Sequence, residues 1–176
     1  MKGWSMMSLG SDVEIADNTY FKHPWLISIG NQCAIDHGFY CTTQLTLENY
    51  VHIAPYVTVI GSEKGHLICK DFTSIAAQTC MVCGGEGPDG LVGPFFDEEL
   101  TDRNIGTITL EKYANIYSNC TVIYGVTMAE GSTLAANSFL AKDTEPWTIY
   151  GGSPAKPIGK RDEKKIKEFG EIHAGH

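Results

Sequence analysis

"LEKYANIYSNCTVIYGVTMAEGSTLAANSFL", residues 110–140, sets Leu110, Ile116, Val122, Met128, Leu134 and Leu140 at intervals of six. An amphipathic helix repeats near 3.6 residues and a half-buried strand at 2, so a period of six describes a short strand plus a turn, repeated. Three such units close a triangular coil. Stacked coils pair as parallel strands, which satisfies the main-chain hydrogen bonds between rungs and aligns the sixth residues as an interior ladder. Four residues after each ladder position stands a second restricted one, filled here by the small residues Ala114, Cys120, Val126, Ser132 and Ser138.

The register extends backwards through Cys69, Ile75 and Met81, through Ile29, Ile35, Cys41, Leu47, Ile53 and Val59, and through Leu9, Ile15 and Phe21. The expected fold is therefore all-β: a parallel β-helix of hexapeptide repeats over about residues 9–142, within a single domain of 176 residues. Two interruptions stand out. "GSEKGHL", residues 61–67, adds about four residues to one coil. "CGGEGPDGLVGPFFDEELTDRNIG", residues 83–106, leaves the helix as one long protruding loop, with Leu91, Val92, Phe95 and Phe96 as apolar anchors that a solvated linker lacks. After Leu140 the repeat gives way to a C-terminal segment, residues 143–176, in which Pro146, Gly151, Gly152, Pro154 and Pro157 break the coil. "RDEKKIKEF" then reads as a short helix with Ile166 and Phe169 on one face, suited to capping the stack.

A net charge of −8 and scattered cations argue against nucleic acid and anionic membranes as partners. No apolar run is long enough to span a membrane, and the first fifteen residues lack a signal-peptide core, so a cytoplasmic location is expected. Six cysteines fit that compartment as thiols. Cys80 and Cys83 have C-x-x-C spacing but no second pair, so metal or redox chemistry is not expected of them.

The repeats, the looped-out insertion, "NYVHIAPYVTVIG" (residues 49–61) and "EPWTIYGGSPAKPIGKR" (residues 145–161) together resemble the hexapeptide-repeat, left-handed β-helix acyltransferases, in the group of galactoside, maltose and surface-polysaccharide acetyltransferases. The resemblance covers nearly the whole chain. It implies the left hand of the coil, a homotrimer, acetyl-CoA as acyl donor in a groove between subunits with no metal, and a sugar or nucleotide-linked sugar as acceptor. It sets Gly152, Pro154, Lys156 and Arg161 near the cofactor. Lys142, Lys156 and Arg161 suit the phosphates of coenzyme A, and Ala135 and Ala136 would let the pantetheine arm approach the backbone or simply pack tightly. Outward Tyr50, Tyr56 and Tyr117 fit an oligomer.

Acyl transfer to a hydroxyl or amine calls for a general base, and histidine is best poised near neutral pH. His173 and His176 lie in the tail and His23 precedes Pro24, which leaves His37, His52 and His66. His37 stands first, two places after the inward Ile35 and next to Asp36. His52 follows, just before inward Ile53 and so pointing outwards. His66, third, lies in the small insertion. Catalysis assisted by the substrate itself is the alternative to all three. Glu86 and Asp89, with Asp97, Glu98, Glu99 and Asp102, put carboxylates in the long loop that could bind sugar hydroxyls or an amine. Two other readings share the fold. A γ-carbonic-anhydrase-like zinc enzyme would need three converging histidines, and a scaffold would need no cofactor.

Overall fold

The computed structural model describes residues 5–91, 93 and 102–174. Six complete coils stack as a three-sided prism, and each contributes one strand to each of three sheets. Sheet A holds β1 (Ser8–Leu9), β4 (Ile27–Ile29), β7 (Gln44–Leu47), β10 (His66–Cys69), β15 (Thr107–Leu110) and β18 (Thr127–Met128). Sheet B holds β2 (Glu14–Ile15), β5 (Ala34–Ile35), β8 (His52–Ile53), β11 (Ser74–Ile75), β16 (Asn115–Ile116) and β19 (Thr133–Leu134). Sheet C holds β3 (Tyr20–Phe21), β6 (Tyr40–Cys41), β9 (Thr58–Ile60), β12 (Cys80–Val82), β17 (Thr121–Ile123) and β20 (Phe139–Leu140). All pairings between these coils are parallel, and the coil is left-handed.

The sixfold ladder is the observed interior. Leu9, Ile29, Leu47, Cys69, Leu110 and Met128 are register partners up sheet A. Ile15, Ile35, Ile53, Ile75, Ile116 and Leu134 do the same on sheet B. From the second coil upwards these side chains are buried, while Leu9 stays 57% exposed on the first coil, beneath which no further coil stands among the described residues. Burial holds the interior thiols protonated, Cys41 near 11 and Cys83 near 12. Among the described residues all six cysteines are free.

At the corner from sheet A to sheet B, each coil turns through a residue with positive φ. Tyr50, Phe72, Tyr113 and Trp147 take this conformation at φ 60, 60, 64 and 54°. A bulky L-residue pays about 1–2 kcal/mol for it. The rings recover part of that cost by stacking up the corner, with centroids 4.5 Å apart for Tyr50 and Phe72 and 5.4 Å for Phe72 and Tyr113.

The C-terminal segment does more than break the coil. β21 (Thr148–Gly152) adds a seventh rung to sheet B by pairing with β19, and β22 (Ala155–Lys160) folds back antiparallel to extend that sheet. Helix α1 (Glu163–Ala174) then packs on the A/B corner. Its contact face differs from the expected one. Ile166 and Gly170 face inwards, with a Cβ on Gly170 meeting the Tyr113 hydroxyl at 2.2 Å, whereas Phe169 is 53% exposed. Lys167 fixes the helix by pairing with Glu130 at 3.3 Å and lying over Trp147.

The corner from sheet C to sheet A absorbs every irregularity in chain length. Ladder residues one coil apart are 18 positions apart from Ile29 to Leu47 and from Leu110 to Met128. The step is 20 from Leu9 to Ile29, 22 from Leu47 to Cys69 and 41 from Cys69 to Leu110. The first excess is a third interruption, a 3₁₀ turn at Pro24–Leu26. The longest is the loop, which rises as a hairpin of β13 (Gly84–Glu86) and β14 (Arg103–Ile105). Its stem is closed by the Gly106 N–H donating to the Cys83 carbonyl at 2.9 Å. Leu91 is half exposed rather than an anchor, and Val92, Phe95, Phe96, Asp97, Glu98 and Glu99 lie outside the described residues.

Candidate active site

Most of the residues singled out from the sequence fall into two groups on different corners of the prism, and Arg161 lies on the third. One group follows the corner from sheet B to sheet C. The residue after each inward position of sheet B stacks on its counterpart below, giving Asp36, Ala54, Ala76, Tyr117, Ala135 and Gly151 in one column. The next column reads His37, Pro55, Ala77, Ser118, Ala136 and Gly152. Small side chains dominate both, apart from the exposed Tyr117 between Ala76 and Ala135, so the corner is a low-relief strip, a track from Asp36 and His37 up to Gly152 and Pro154 with that ring standing on one side of it. At roughly 4.8 Å per rung the track is about 24 Å long. Ala135 and Ala136 lie near its top, where the Gly152 N–H donates to Ser138 Oγ at 3.0 Å. Lys156 is exposed at that end, opposite Gly151, whereas Lys142, two places after Leu140 of β20, is exposed on the corner from sheet C to sheet A. Arg161 is turned inwards instead, with Nη1 donating to the carbonyls of Tyr113 and Gly131 at 2.8 Å each.

His52 stands at the foot of the track, on the outer face of sheet B between Ala34 and Ser74. Its Nε2 is 3.1 Å from Asp36 Oδ2, and both side chains are about half exposed. A carboxylate only accepts, so Nε2 carries the hydrogen and Nδ1 is left with its lone pair facing solvent. An oriented imidazole with a free basic nitrogen, backed by a carboxylate, is the arrangement general-base catalysis uses. His37 lies one coil below and meets the Tyr56 ring edge-on at 5.0 Å. Gly38 makes room for that ring, since a Cβ there would sit 2.4 Å from it.

The second group occupies the C/A corner, where Glu86 and Asp89 are exposed on the hairpin. His66 sits at the foot of the stem. Its main-chain N–H points to the Gly106 carbonyl, and Nε2 is 2.8 Å from Thr46 Oγ1. Burial lowers the His66 pKa from 6.5, which favours the neutral ring. Stability drawn from that neutral ring is complete above pH 6.5 and is lost as pH falls below it, where the unfolded chain takes up the proton first. His66 does not converge with His37 and His52. Among the described residues no group of three His, Cys, Asp or Glu could hold a metal ion, and no helix is long and apolar enough to cross a membrane.

Sequence reasoning passed over Ala54, Ala76 and Ala77 in the track, which the 18-residue spacing alone could have aligned with Ala135 and Ala136. It also passed over Lys22 and Arg103, which line clefts at the C/A corner. The signal for Lys22 was the eight-residue step from Phe21 to Ile29.

No model of a known protein family matches the chain. It is 30% identical over 174 residues to the dTDP-4-amino-4,6-dideoxy-D-glucose acyltransferase of Escherichia coli, covering 95% of this chain and 88% of that protein. The fold superposes on AntD, an N-acyltransferase from Bacillus cereus solved with dTDP and 3-hydroxybutyryl-CoA. The TM-score is 0.91 at 26% identity, covering 97% of this chain and 92% of AntD. A hexapeptide-repeat acetyltransferase of Vibrio cholerae shares the fold at TM-score 0.59 and 19% identity, over 90% of this chain and 76% of that one.

Proposed function

The chain belongs to the hexapeptide-repeat sugar acyltransferases of β-helix fold, and from that premise we propose that it moves an acyl group from a coenzyme A thioester to the amine of a nucleotide-linked amino sugar. The observation that carries this reading is the small-residue track that begins at the His52–Asp36 pair. The pantetheine arm lies along it, with the thioester at the His52 end and the phosphates near Lys156. Gly152 and Pro154 keep the upper end of the track low. The Arg161 contacts support a structural share for that residue, tying the C-terminal segment to the corner between sheets A and B, away from the track.

The acceptor amine attacks the thioester carbonyl directly. A nitrogen–carbon bond forms, the carbon–sulfur bond breaks, and the proton leaving nitrogen passes to His52 Nδ1 and from there to the departing thiolate. Asp36 holds the ring and stabilises the imidazolium formed in that step. A main-chain N–H at the corner holds the oxyanion. His37 contacts the acceptor beside it. Glu86 and Asp89 on the loop bind the sugar hydroxyls and the neutral amine before transfer.

These two groups stand on different corners, so the reading requires a homotrimer in which the loop of one subunit closes over the track of the next. Exposed Tyr20, Tyr40, Tyr56 and Tyr117 support such an assembly. Nucleotide-linked sugars are donors for glycosyl transfer, and we place the acylated product in surface-polysaccharide assembly in the cytoplasm.

Incubation with acetyl-CoA and dTDP-4-amino-4,6-dideoxyglucose should release coenzyme A thiol in proportion to N-acylated sugar, from a species whose light-scattering mass is three times 19.2 kDa. Thiol release with hydroxyl acceptors alone would move the reading to O-acylation. A monomeric mass at micromolar protein would remove the shared groove.

A further inference from the structure

Beside the two columns of the track, the B/C corner has a third, which reads Asn18, Gly38, Tyr56, Gln78, Asn119 and Asn137. From Gly38 upwards every member has a positive φ, between 58 and 75°. Glycine and asparagine suit that conformation, and the asparagines use their side chains to link coils: Asn18 Oδ1 accepts from the Gly38 N–H, and Asn119 Nδ2 donates to Asn137 Oδ1. Tyr56 is the one aromatic residue in the column. The strained aromatics of the A/B corner lie ring on ring, but the neighbours of Tyr56 above and below are Gln78 and Gly38. Burial does not account for the ring either, since Tyr56 is 56% exposed. Backbone strain kept without a packing gain is a mark of functional positions. The ring drops one rung, rests on the bare main chain of Gly38 and meets the His37 ring edge-on at 5.0 Å. With Asp36 and His37 it stands across the foot of the track, one rung below Ala54 and Pro55.

We infer that Tyr56 is a specificity-determining residue that closes the acyl end of the site and restricts the donor to short acyl groups. The inference rests on the transfer reaction and the thioester position proposed above. A pantetheine arm that descends the track carries its acyl group beyond the thioester in the same line, towards the Tyr56 ring. One rung, about 4.8 Å, separates the level of Ala54 and Pro55 from that of Asp36 and His37, which is room for a two-carbon group and not for a longer chain. Each further methylene has to displace the ring or turn out into water, and a misfit of that size in an apolar contact is worth about tenfold or more in kcat/KM.

Tyr56→Asn installs the residue that occupies the same column two and three coils higher, so it suits the backbone conformation there. Thiol release is measured with acetyl-, butyryl- and hexanoyl-CoA and dTDP-4-amino-4,6-dideoxyglucose as acceptor. We expect Tyr56→Asn to raise the hexanoyl-to-acetyl ratio of kcat/KM about 10- to 100-fold, and Tyr56→Phe, which keeps the ring, to leave that ratio at the wild-type value. Calorimetry without acceptor should show Tyr56→Asn binding hexanoyl-CoA about tenfold more tightly than the wild type, with coenzyme A itself unchanged. The inference is overturned if the wild type uses hexanoyl-CoA as readily as acetyl-CoA, or if Tyr56→Asn keeps the wild-type ratio while still acylating the amine, an outcome that leaves the proposed reaction standing. Loss of the oligomer in Tyr56→Asn, read by light scattering, would make the ring an interface contact and overturn it as well. If Tyr56→Asn tightens hexanoyl-CoA but no nucleotide-linked amine is acylated by any form of the protein, the wall at Tyr56 stands and the acceptor reading fails.

Discussion

His52→Ala lowers kcat by about 10²- to 10⁴-fold, the usual cost of deleting a positioned general base, and leaves coenzyme A affinity unchanged. Thiol release at saturating donor and acceptor measures the first quantity and calorimetry the second. The contact with Asp36 is what puts His52 ahead of His37, whose ring meets only the edge of Tyr56. Asp36→Asn keeps the shape of the pair but weakens its hold on the imidazolium. It therefore reduces kcat by about tenfold without raising KM for the donor. His37→Ala costs less than His52→Ala and shows mainly in acceptor KM, and His66→Ala costs least. An active His52→Ala enzyme beside an inactive His37→Ala enzyme would move the base to His37. Full activity in all three would leave proton removal to the substrate.

Replacing residues 84–105 with a short Gly-Ser turn abolishes transfer while coenzyme A binding and the β-sheet signal in circular dichroism persist. The fold tolerates the excision because Cys83 and Gly106 are already hydrogen-bonded at 2.9 Å, and the rungs on either side pair directly through β12 with β17 and β10 with β15. Activity is lost because the carboxylates on the loop go with it. Co-refolding this variant with His52→Ala gives the sharper result. Mixed trimers contain an interface where an intact His52 faces an intact loop, so two inactive proteins together recover part of the wild-type rate. If the mixture stays as inactive as its parents, the two corners do not share a site. Loss of the sheet signal in the shortened protein would instead make the loop structural.

The interior was legible because it repeats. Inward ladder residues from Leu9 to Leu140 follow from one period, and the two larger insertions announce themselves as breaks in it. The short 3₁₀ turn after His23 escaped notice because two extra residues are easily lost between Phe21 and Ile29. The C-terminal segment was misread in part: prolines and glycines suggested an end, yet β21 continues sheet B through Tyr150, a side chain that fills the ladder position above Leu134. Phe169 looked like a core residue by helical spacing, but the corner it approaches is already filled by Tyr113, which leaves room for Gly170 and not for a ring.

The candidate site was legible as residue types and not as an arrangement. Spacing placed Asp36, His37 and His52 near one another because the coil length is fixed. It could not tell that Asp36 reaches up to His52 and passes by its own neighbour, which depends on side-chain rotamers at the turn. Lys22, Lys64 and Arg103 are separated by 42 and 39 positions, and only the alignment of three insertions on one corner brings them together.

The exposed Leu9 has a consequence for how the enzyme ages under heat. Each coil is held by the coils above and below it, and among the described residues the first has a neighbour on one side only, so thermal fraying is expected to start there and travel inwards rung by rung. Asp36 lies on the second coil and His52 on the third, close to that loose end and far from the helix-buttressed other one. On the proposed assignment of Asp36 and His52, mild warming is expected to silence catalysis while most of the rungs are still stacked, so activity should be lost at a lower temperature than the β-sheet signal in circular dichroism.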